Sequence, residues 1–414
     1  MPKGSIARGT MRTTLALGLY LLVQAGTLLL VAGMLGPNRF GAFAGVAALA
    51  VLLGTFATFG THIVLLGEVA KDASQRGEVL AYAIPTTLAF GTLLLGVFFA
   101  ISLLALRIPG ISLSVLLAIG ATELLLQPLF TLTVYEHHGL GRIARSQLLR
   151  TLPLMLRLVA AGCIVLAHPA DPLNAYATVY PLISLAALVL AIRTFPAAWP
   201  SPKQWRAPRM AEFRSTVGYA ALAITASGPG ELDKTLAAKL LPLASAGIYA
   251  VGTRIIVAST LPVNAMMSAA LPRLFREGRH RPAHTRRLLL WILAAGAAYA
   301  SLVATILWLT TPLFDWLFGA QYKGLGQNIR WLCIVVPGLT LRMIAGTTMM
   351  ALGKPWTRVG FELAGLAVLI VAAIVLSARY GTLGMALALA CSEWTMAAVG
   401  IAVILRQTAP TLEG

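Results

Sequence analysis

Twelve long apolar runs constrain this chain more than any other feature of its sequence. Each run has at least about 18 residues and is bounded by charged residues, glycine or proline, and such a length suits an α-helix that crosses a membrane. The runs cover residues 13–35, 42–66, 79–106, 113–135, 148–166, 175–192, 217–241, 246–271, 288–311, 328–352, 359–377 and 383–405. Their continuity leaves no alternating polar face for a β-barrel lumen. We therefore expect an all-α integral membrane protein with twelve transmembrane helices.

The composition excludes a water-soluble protein of this size. The 414 residues are 58% hydrophobic and only 11% charged, whereas soluble domains contain about 25% charged residues. The same values exclude a disordered chain, and the three cysteines lie inside apolar runs, which excludes a disulfide-stapled secreted scaffold. The first apolar run has no small-residue cleavage site, so we expect it to be a first span and not a signal peptide.

Basic residues are distributed unequally between the two sides of the predicted bundle. Twelve crossings place both termini on one side, and the segments on that side carry 22 of the 32 Lys and Arg residues, against six in the opposite loops. Positive charge marks the cytoplasmic side, so we expect both termini in the cytoplasm. Anionic lipid head groups are the expected partners of the net charge of +18, and nucleic acid is not an expected partner.

A proline-rich connector divides the spans into two groups of six. It runs from residue 193 to residue 213 and holds four prolines. Across it, Phe40–Ala44 is matched by Ala246–Ala250 at a shift of 206 residues. The match is short, and chance is the alternative explanation, but parallel repeats of this kind occur in transporters. The predicted division is an N-terminal lobe at 1–196, a cytoplasmic linker at 197–214 and a C-terminal lobe at 215–414.

Two parts of the chain carry recognisable motifs. The predicted seventh and eighth spans hold Glu231-Leu232-Asp233-Lys234, Leu241-Pro242, Ala246–Ala250, Arg254 and Pro262, and the first span is followed by Leu35-Gly36-Pro37-Asn38-Arg39-Phe40-Gly41. These segments resemble the seventh and eighth helices, and the loop after the first helix, of bacterial polysaccharide flippases, the Wzx-type O-antigen transporters of the MATE-like (multidrug/oligosaccharidyl-lipid/polysaccharide) superfamily. The chain is somewhat short for the family, and the fourteen spans of lipid II flippases cannot be fitted into it.

The resemblance implies two MATE-like six-helix bundles in the bacterial inner (cytoplasmic) membrane. It also implies that an undecaprenyl-diphosphate-linked oligosaccharide is flipped to the outer leaflet by alternating access, for O-antigen, capsule or exopolysaccharide synthesis. A polysaccharide polymerase and glycosyltransferases are then the implied protein partners. No cofactor is expected.

Four basic residues lie inside predicted spans, namely Arg157, Lys234, Arg254 and Arg342. A charge at such depth costs at least a few kcal/mol, and it usually faces an interior cavity or a partner. Arg and Lys offer the N–H donors and positive charge that phosphate recognition requires. We therefore assign these four residues to the binding of a diphosphate or an acidic sugar.

Four acidic residues at comparable depth are assigned to coupling or to structural ion pairs, namely Glu123, Glu231, Asp233 and Glu393. In the structural alternative each buried cation has a protein partner: Asp233 pairs with Arg254, Glu231 with Lys234 at i and i+3, and Glu123 with Arg157. The sequence reveals no partner for Arg342.

Helix-breaking residues precede Lys234. Gly228-Pro229-Gly230 is expected to break the seventh helix and expose its backbone groups beside that cation. Pro337-Gly338 likewise predicts a kink in the span that holds Arg342.

Two other function classes remain as alternatives. A MATE-like cation or drug antiporter driven by H⁺ or Na⁺ needs an unpaired intramembrane carboxylate, for which Asp233, Glu123 and Glu393 are candidates. An integral-membrane enzyme needs reactive groups on large outer loops, and the largest such loop offers only Asp315 and Lys323. The adjacent pair His137-His138 diverges on a helix, so no metal site is expected there.

Overall fold

The computed structural model describes residues 3–195, 198–264, 266–267 and 282–407. All regular secondary structure in these ranges is helical, which agrees with the predicted all-α class. The α-helices are α1 (Lys3–Ala57), α2 (Thr61–Lys71), α3 (Arg76–Ala100), α4 (Leu113–Ala121), α5 (Gln127–Gly139), α6 (Ile143–Ala167), α7 (Pro172–Arg193), α8 (Met210–Leu240), α9 (Leu243–Ser259), α10 (Pro282–Leu309), α11 (Thr311–Phe318), α12 (Leu325–Leu332), α13 (Val335–Ala351) and α14 (Pro355–Gln407).

Eight helical stretches of the described chain are long and apolar enough to cross a membrane, and the pair α12 and α13, bent by 45°, gives a ninth if it is one span. Two of the eight contain two predicted spans each, because α1 leaves helical geometry at Gly36 and α14 does so at Gly381. The predicted seventh span lies in α8, which has 31 residues and several charges. The described helices are therefore consistent with the twelve predicted spans.

The second predicted span, 42–66, is not one continuous helix. Helix α1 ends at Ala57, and the turn that follows holds Phe59 at φ 46° and Gly60 at φ 75°. Helix α8 packs against this turn: a Cβ at Gly60 would lie 2.6 Å from the carbonyl oxygen of Thr216. The ring of Phe59 also stacks on Phe213 at 4.8 Å between centroids. Helix α8, which is distant in sequence, therefore packs closely on this break.

Three further predictions about helix breaks and helix ends can be compared with the structure. Helix α8 continues through Gly228-Pro229-Gly230, so the expected break is wrong. The ammonium group of Lys234 donates to the carbonyl of Gly230 within the same helix. The kink predicted in the span that holds Arg342 does occur: α12 and α13 are bent by 45° at residues 333–334, three to four residues before Pro337. Helix α9 ends at Ser259, the membrane-spanning stretch continues to Asn264, and residues 265 and 268–271 of the predicted eighth span lie outside the described ranges.

The chain forms two compact units, Met1–Ile224 and Thr225–Gly414. The first unit extends past the predicted lobe end at residue 196, because the described part of the linker packs on its helices. The backbone N–H of Arg206 donates to the carbonyl of Ala81 at 3.0 Å. The rings of Trp199 and Trp205 cover buried side chains of α2, α3 and α5. The linker is therefore folded onto the first unit.

Both copies of the short repeat occupy the same kind of place. Phe40–Ala44 follows the interruption at Gly36, and Ala246–Ala250 follows the extended residue Pro242, which precedes α9. The aromatic residue of each copy, Phe43 or Tyr249, is buried. In each unit the repeat thus begins a tightly packed helix.

Candidate functional site

The first charged cluster inside the membrane-spanning helices lies where the α4–α5 segment, α6 and α7 meet. We call it cluster 1, and it consists of Glu123, Arg157, Tyr180 and Ser184. Arg157 Nη2 lies 3.5 Å from Glu123 Oε1 and donates to Ser184 Oγ at 3.3 Å. Its guanidinium carbon lies 4.1 Å from the centroid of the Tyr180 ring. The Tyr180 hydroxyl donates to Glu123 Oε1 at 2.5 Å.

The guanidinium of Arg157 in cluster 1 does not form all the strong hydrogen bonds that it can. Its two polar contacts, at 3.5 Å and 3.3 Å, are longer than the 2.7–2.9 Å of a strong charged hydrogen bond. Nε of Arg157 is buried and has no hydrogen-bond partner among the described residues. An unmet buried donor is costly, and Arg157 therefore has hydrogen-bonding capacity that its neighbours do not satisfy.

The second charged cluster, cluster 2, joins α13 to both halves of α14 and consists of Arg342, Arg358, Glu362 and Glu393. Arg342 Nε donates to Glu393 Oε2 at 2.5 Å, and Arg342 Nη1 lies 3.6 Å from Glu362 Oε1. Arg358 Nε donates to Glu362 Oε1 at 2.8 Å. The hydroxyl of Thr225 donates to Glu362 Oε2 at 2.8 Å.

Cluster 2 balances two cations with two carboxylates, and its side chains are largely buried. The partners of Arg342 were not identified from the sequence, because they lie on two separate stretches of α14. The spacing of Arg358 and Glu362, at i and i+4, was the available signal that these two residues pair. Cluster 2 is well suited to hold helices together.

The third group lies on α8 and α9. Lys234 Nζ lies 3.0 Å from Glu231 Oε2, at the i,i+3 spacing. Asp233 is fully buried and accepts hydrogen bonds from the hydroxyl of Tyr249 at 3.1 Å and from the backbone N–H of Lys234 at 2.6 Å. The contribution of Tyr249 was missed by sequence reasoning, although the repeat places an aromatic residue there.

The predicted pair between Asp233 and Arg254 does not occur among the contacts of Asp233. Tyr249 occupies the position facing Asp233, and Arg254 lies five residues further along α9. Five residues correspond to about 140° of rotation around a helix. The two α9 side chains therefore point in different directions, and Arg254 is half-buried.

A further polar cluster ties the linker to the N-terminal end of α3 and the C-terminal end of α5. Arg76 donates to the buried carboxylate of Glu136 and to the carbonyl of Ala198, and the indole of Trp199 donates to Glu136 Oε2 at 3.3 Å. Arg206 donates to both carboxylate oxygens of Glu212 at 2.7 Å. That hydrogen bonding lowers the pKa of Glu212 below its usual value.

Metal ligands are not grouped in the described part of the chain. No set of three or more His, Cys, Asp or Glu side chains there could hold a metal ion. His137 instead stacks on Phe195 at 3.9 Å between centroids, and its Nε2 shares a hydrogen bond with the hydroxyl of Thr194 at 2.7 Å.

The fold is similar to that of solved membrane transporters. An inward-facing multidrug resistance MATE family transporter of the MOP superfamily is 13% identical, with a TM-score of 0.71 over 96% of this chain and 94% of that chain. An outward-facing one is 14% identical, with a TM-score of 0.69 over 100% and 97%. A MOP superfamily transporter from Pyrococcus furiosus is 15% identical, with a TM-score of 0.69 over 96% and 95%.

None of the curated proteins compared with the chain matches it. A family model does: the one described as "Polysaccharide biosynthesis protein" matches residues 6–277. The match covers well over half of the chain, and it confirms the resemblance noted from the sequence. The chain is therefore a multi-pass membrane protein that belongs to the polysaccharide biosynthesis protein family and has the MATE-like fold of the MOP superfamily.

Proposed function

We propose that this protein flips an undecaprenyl-diphosphate-linked oligosaccharide from the cytoplasmic to the outer leaflet of the bacterial inner membrane, with both termini in the cytoplasm. The family match supports a role in polysaccharide synthesis, and the fold supports transport by alternating access. No bond is made or broken in this reaction. The protein supplies a polar path for the charged head group while the lipid tail stays in the bilayer.

The observation that carries the proposal is the incompletely used guanidinium of Arg157. The membrane-spanning part of α6 is Arg145–Ala167, so Arg157 lies about 18 Å from one end and about 15 Å from the other. A cation at this depth is costly unless it has a function or a partner. Its contacts to Glu123 and Ser184 are long, and Nε has an unmet donor.

A diphosphate would complete the coordination of this guanidinium. Phosphate oxygens accept several N–H donors at once, and Arg can bind them in a bidentate manner. When phosphate binds, Arg157 exchanges its weak contact with Glu123 for the ligand. Glu123 keeps its hydrogen bond from the Tyr180 hydroxyl, so its carboxylate is not left without a donor.

The remaining predicted cations have different surroundings. Arg342 is held at 2.5 Å from Glu393 within the neutral cluster 2, so we propose a structural role for it in preference to substrate binding. Lys234 is paired with Glu231. The assignment of Lys234 and Arg254 to substrate binding stays a prediction.

Replacement of Arg157 tests the proposal. In cells that depend on this protein for surface polysaccharide, Arg157→Ala should lower the surface product by about 10- to 150-fold, the equivalent of one lost charged hydrogen bond. The lipid-linked precursor should accumulate in the inner membrane. Arg157→Lys should retain part of the activity, because it keeps the charge but loses the bidentate geometry.

Two controls accompany this test. Arg150→Ala removes an exposed arginine from the same helix and should leave the surface product unchanged. Arg157→Ala combined with Glu123→Gln removes both charges of the pair, which separates loss of transport from the instability of an unpaired carboxylate. Wild-type levels of surface polysaccharide with Arg157→Ala, at normal amounts of membrane protein, would refute the proposal.

A cation antiporter is the second candidate, and Asp233 favours it. Asp233 is fully buried and forms no ion pair with another described residue, as a carboxylate that releases and takes up a cation would require. Glu123 and Glu393 are less suitable, since each lies beside an arginine. Export of a cationic dye that is abolished by Asp233→Asn would favour this candidate, whereas a lack of dye export would exclude it.

A further inference from the structure

We propose that Pro128, Gly54 and Gly91 position the carboxylate of Glu123 beside Arg157. They act through one irregular turn of helix that directs two backbone carbonyl groups toward glycines on neighbouring helices. This inference rests on the proposed function, since it concerns the site in which Arg157 meets the substrate. None of the three residues touches the substrate, so they are positioning residues.

The irregular turn is a π-helical turn at Thr122–Leu126, between α4 and α5. Within it the N–H of Gln127 donates to the carbonyl of Thr122, five residues back, where an α-helix would use the carbonyl of Glu123. Such turns are rare, occur mostly as single turns inside α-helices and are frequent at functional sites; a second one lies at Ile101–Leu106. Here the turn contains Glu123 itself.

Pro128 explains why the α-helical pattern fails at this place. A proline has no N–H, so Pro128 cannot donate to the carbonyl of Leu124, four residues back, or to that of Glu123, five residues back. The N–H of Gln127 is already engaged with Thr122. The carbonyls of Glu123 and Leu124 therefore both lack the N–H donor, from four residues further along, that they would have in a regular α-helix.

Each of these carbonyls approaches a glycine of another helix. A Cβ added at Gly54 on α1 would overlap the carbonyl oxygen of Glu123, and one added at Gly91 on α3 would overlap that of Leu124, both at less than 3.0 Å. In contrast, a Cβ at Gly33 on α1 or at Gly96 on α3 would meet nothing within 4 Å. Glycine also offers Cα–H groups, which are weak donors to carbonyl oxygens.

The turn also sets the direction of the Glu123 side chain. A π-helical turn accommodates one residue more than an α-helical turn, and one residue corresponds to about 100° of rotation. With the turn in place, Glu123 is buried and reaches Arg157 on α6 and Tyr180 on α7. If the turn became regular α-helix, Glu123 would be rotated about the helix axis relative to α5, and its side chain would point away from these partners.

The glycine contacts are tested by thermal unfolding of the purified full-length protein in detergent. Gly54→Ala and Gly91→Ala should each lower Tm by about 2 to 12 °C, because the added methyl overlaps a backbone carbonyl. The matched variants Gly33→Ala and Gly96→Ala should leave Tm unchanged or raise it slightly. Equal effects in both sets would refute the contacts.

Pro128→Ala tests positioning, because it restores the missing N–H and allows the α-helix to close. The expected result is that Pro128→Ala rescues the Tm of Gly91→Ala. Surface polysaccharide should nevertheless fall about tenfold, the effect of losing a hydrogen bond to a charged group, here the one from the Tyr180 hydroxyl to Glu123. A merely structural proline would not separate stability from transport in this way.

A double-mutant cycle gives a readout that does not depend on transport. Glu123→Gln should lower Tm in the wild-type background and have no effect in the Pro128→Ala background, where Glu123 no longer meets Arg157. An undiminished effect of Glu123→Gln in the Pro128→Ala background would overturn the inference. That outcome leaves the proposed function intact, whereas normal surface polysaccharide with Arg157→Ala refutes the function and leaves this cycle unaffected.

Discussion

Cluster 2 provides a quantitative prediction through the variant Arg342→Met. Methionine resembles the arginine stem in length but removes the guanidinium, which lies 2.5 Å from Glu393 and 3.6 Å from Glu362. Glu362 retains Arg358 and the hydroxyl of Thr225. The carboxylate of Glu393, which is only 2% exposed, is left without its cation.

The expected loss of stability follows from the burial of that carboxylate. Removal of one partner from a buried pair costs about 3–5 kcal/mol. A unit of 150–250 residues loses roughly 2–4 °C in Tm for each kcal/mol. The unit that contains Arg342 has 190 residues, from Thr225 to Gly414, so Arg342→Met should lower Tm by about 6–20 °C.

The double variant Arg342→Met with Glu393→Met should recover most of this loss. Replacement of both members of a buried ion pair by apolar residues is often neutral, and Arg358 with Glu362 remains balanced. The assay is thermal unfolding of the purified protein in detergent, followed by tryptophan fluorescence. Arg379→Met, at an exposed position of α14, serves as the control and should leave Tm unchanged.

Two results would refute this reasoning. If Arg342→Met is as stable as wild type, the short contact with Glu393 carries no stability. If the double variant is as unstable as the single one, the loss comes from packing and not from the unpaired charge. Both measurements require only that the single variant is produced in an amount sufficient for a melting curve.

Three other predictions concern different parts of the chain. Hydrogen bonding from Arg206 lowers the folded-state pKa of Glu212. The ion pair therefore contributes to stability at neutral pH, and this contribution is lost as the pH falls through the lowered pKa. Glu212→Gln should flatten the acidic side of the curve of Tm against pH. Trp199→Ala should loosen the linker and raise the rate of tryptic cleavage after Arg206, measured by mass spectrometry, whereas an unchanged rate would contradict its packing role. Gly381 has φ 56° and ψ −127°, so alanine there should cost a backbone strain of about 1–3 kcal/mol. Gly381→Ala should therefore lower Tm by about 2–12 °C, whereas Gly360→Ala should leave Tm unchanged.

The sequence was informative where the cause of a structure is local. The apolar runs predicted the helices, and the segment around Gly36 predicted the interruption of α1, since Gly36 has φ 68° and is followed by Pro37. The i,i+3 spacing also pointed to Lys234 beside Glu231, which the structure places 3.0 Å apart. In each case the relevant atoms are close along the chain.

The sequence was uninformative where the cause lies on another helix. The start of α8 packs on the break at Phe59 and Gly60 from more than 150 residues away. The partners of Arg342 lie 20 and 51 residues further along the chain, at Glu362 and Glu393. Pro229 was expected to end its helix, yet α8 continues through it. Periodicity and composition carry no information about such contacts between helices.

The folded linker has a practical consequence for expression of the two halves as separate polypeptides. Its proline-rich composition makes residues 193–213 the obvious place to cut the gene. A cut before Trp199 would strip the first fragment of Trp199 and Trp205, and it would uncover the carboxylate of Glu136. A split after Ile224, where the first compact unit ends, would keep Trp199 and Trp205 on the fragment that contains Glu136.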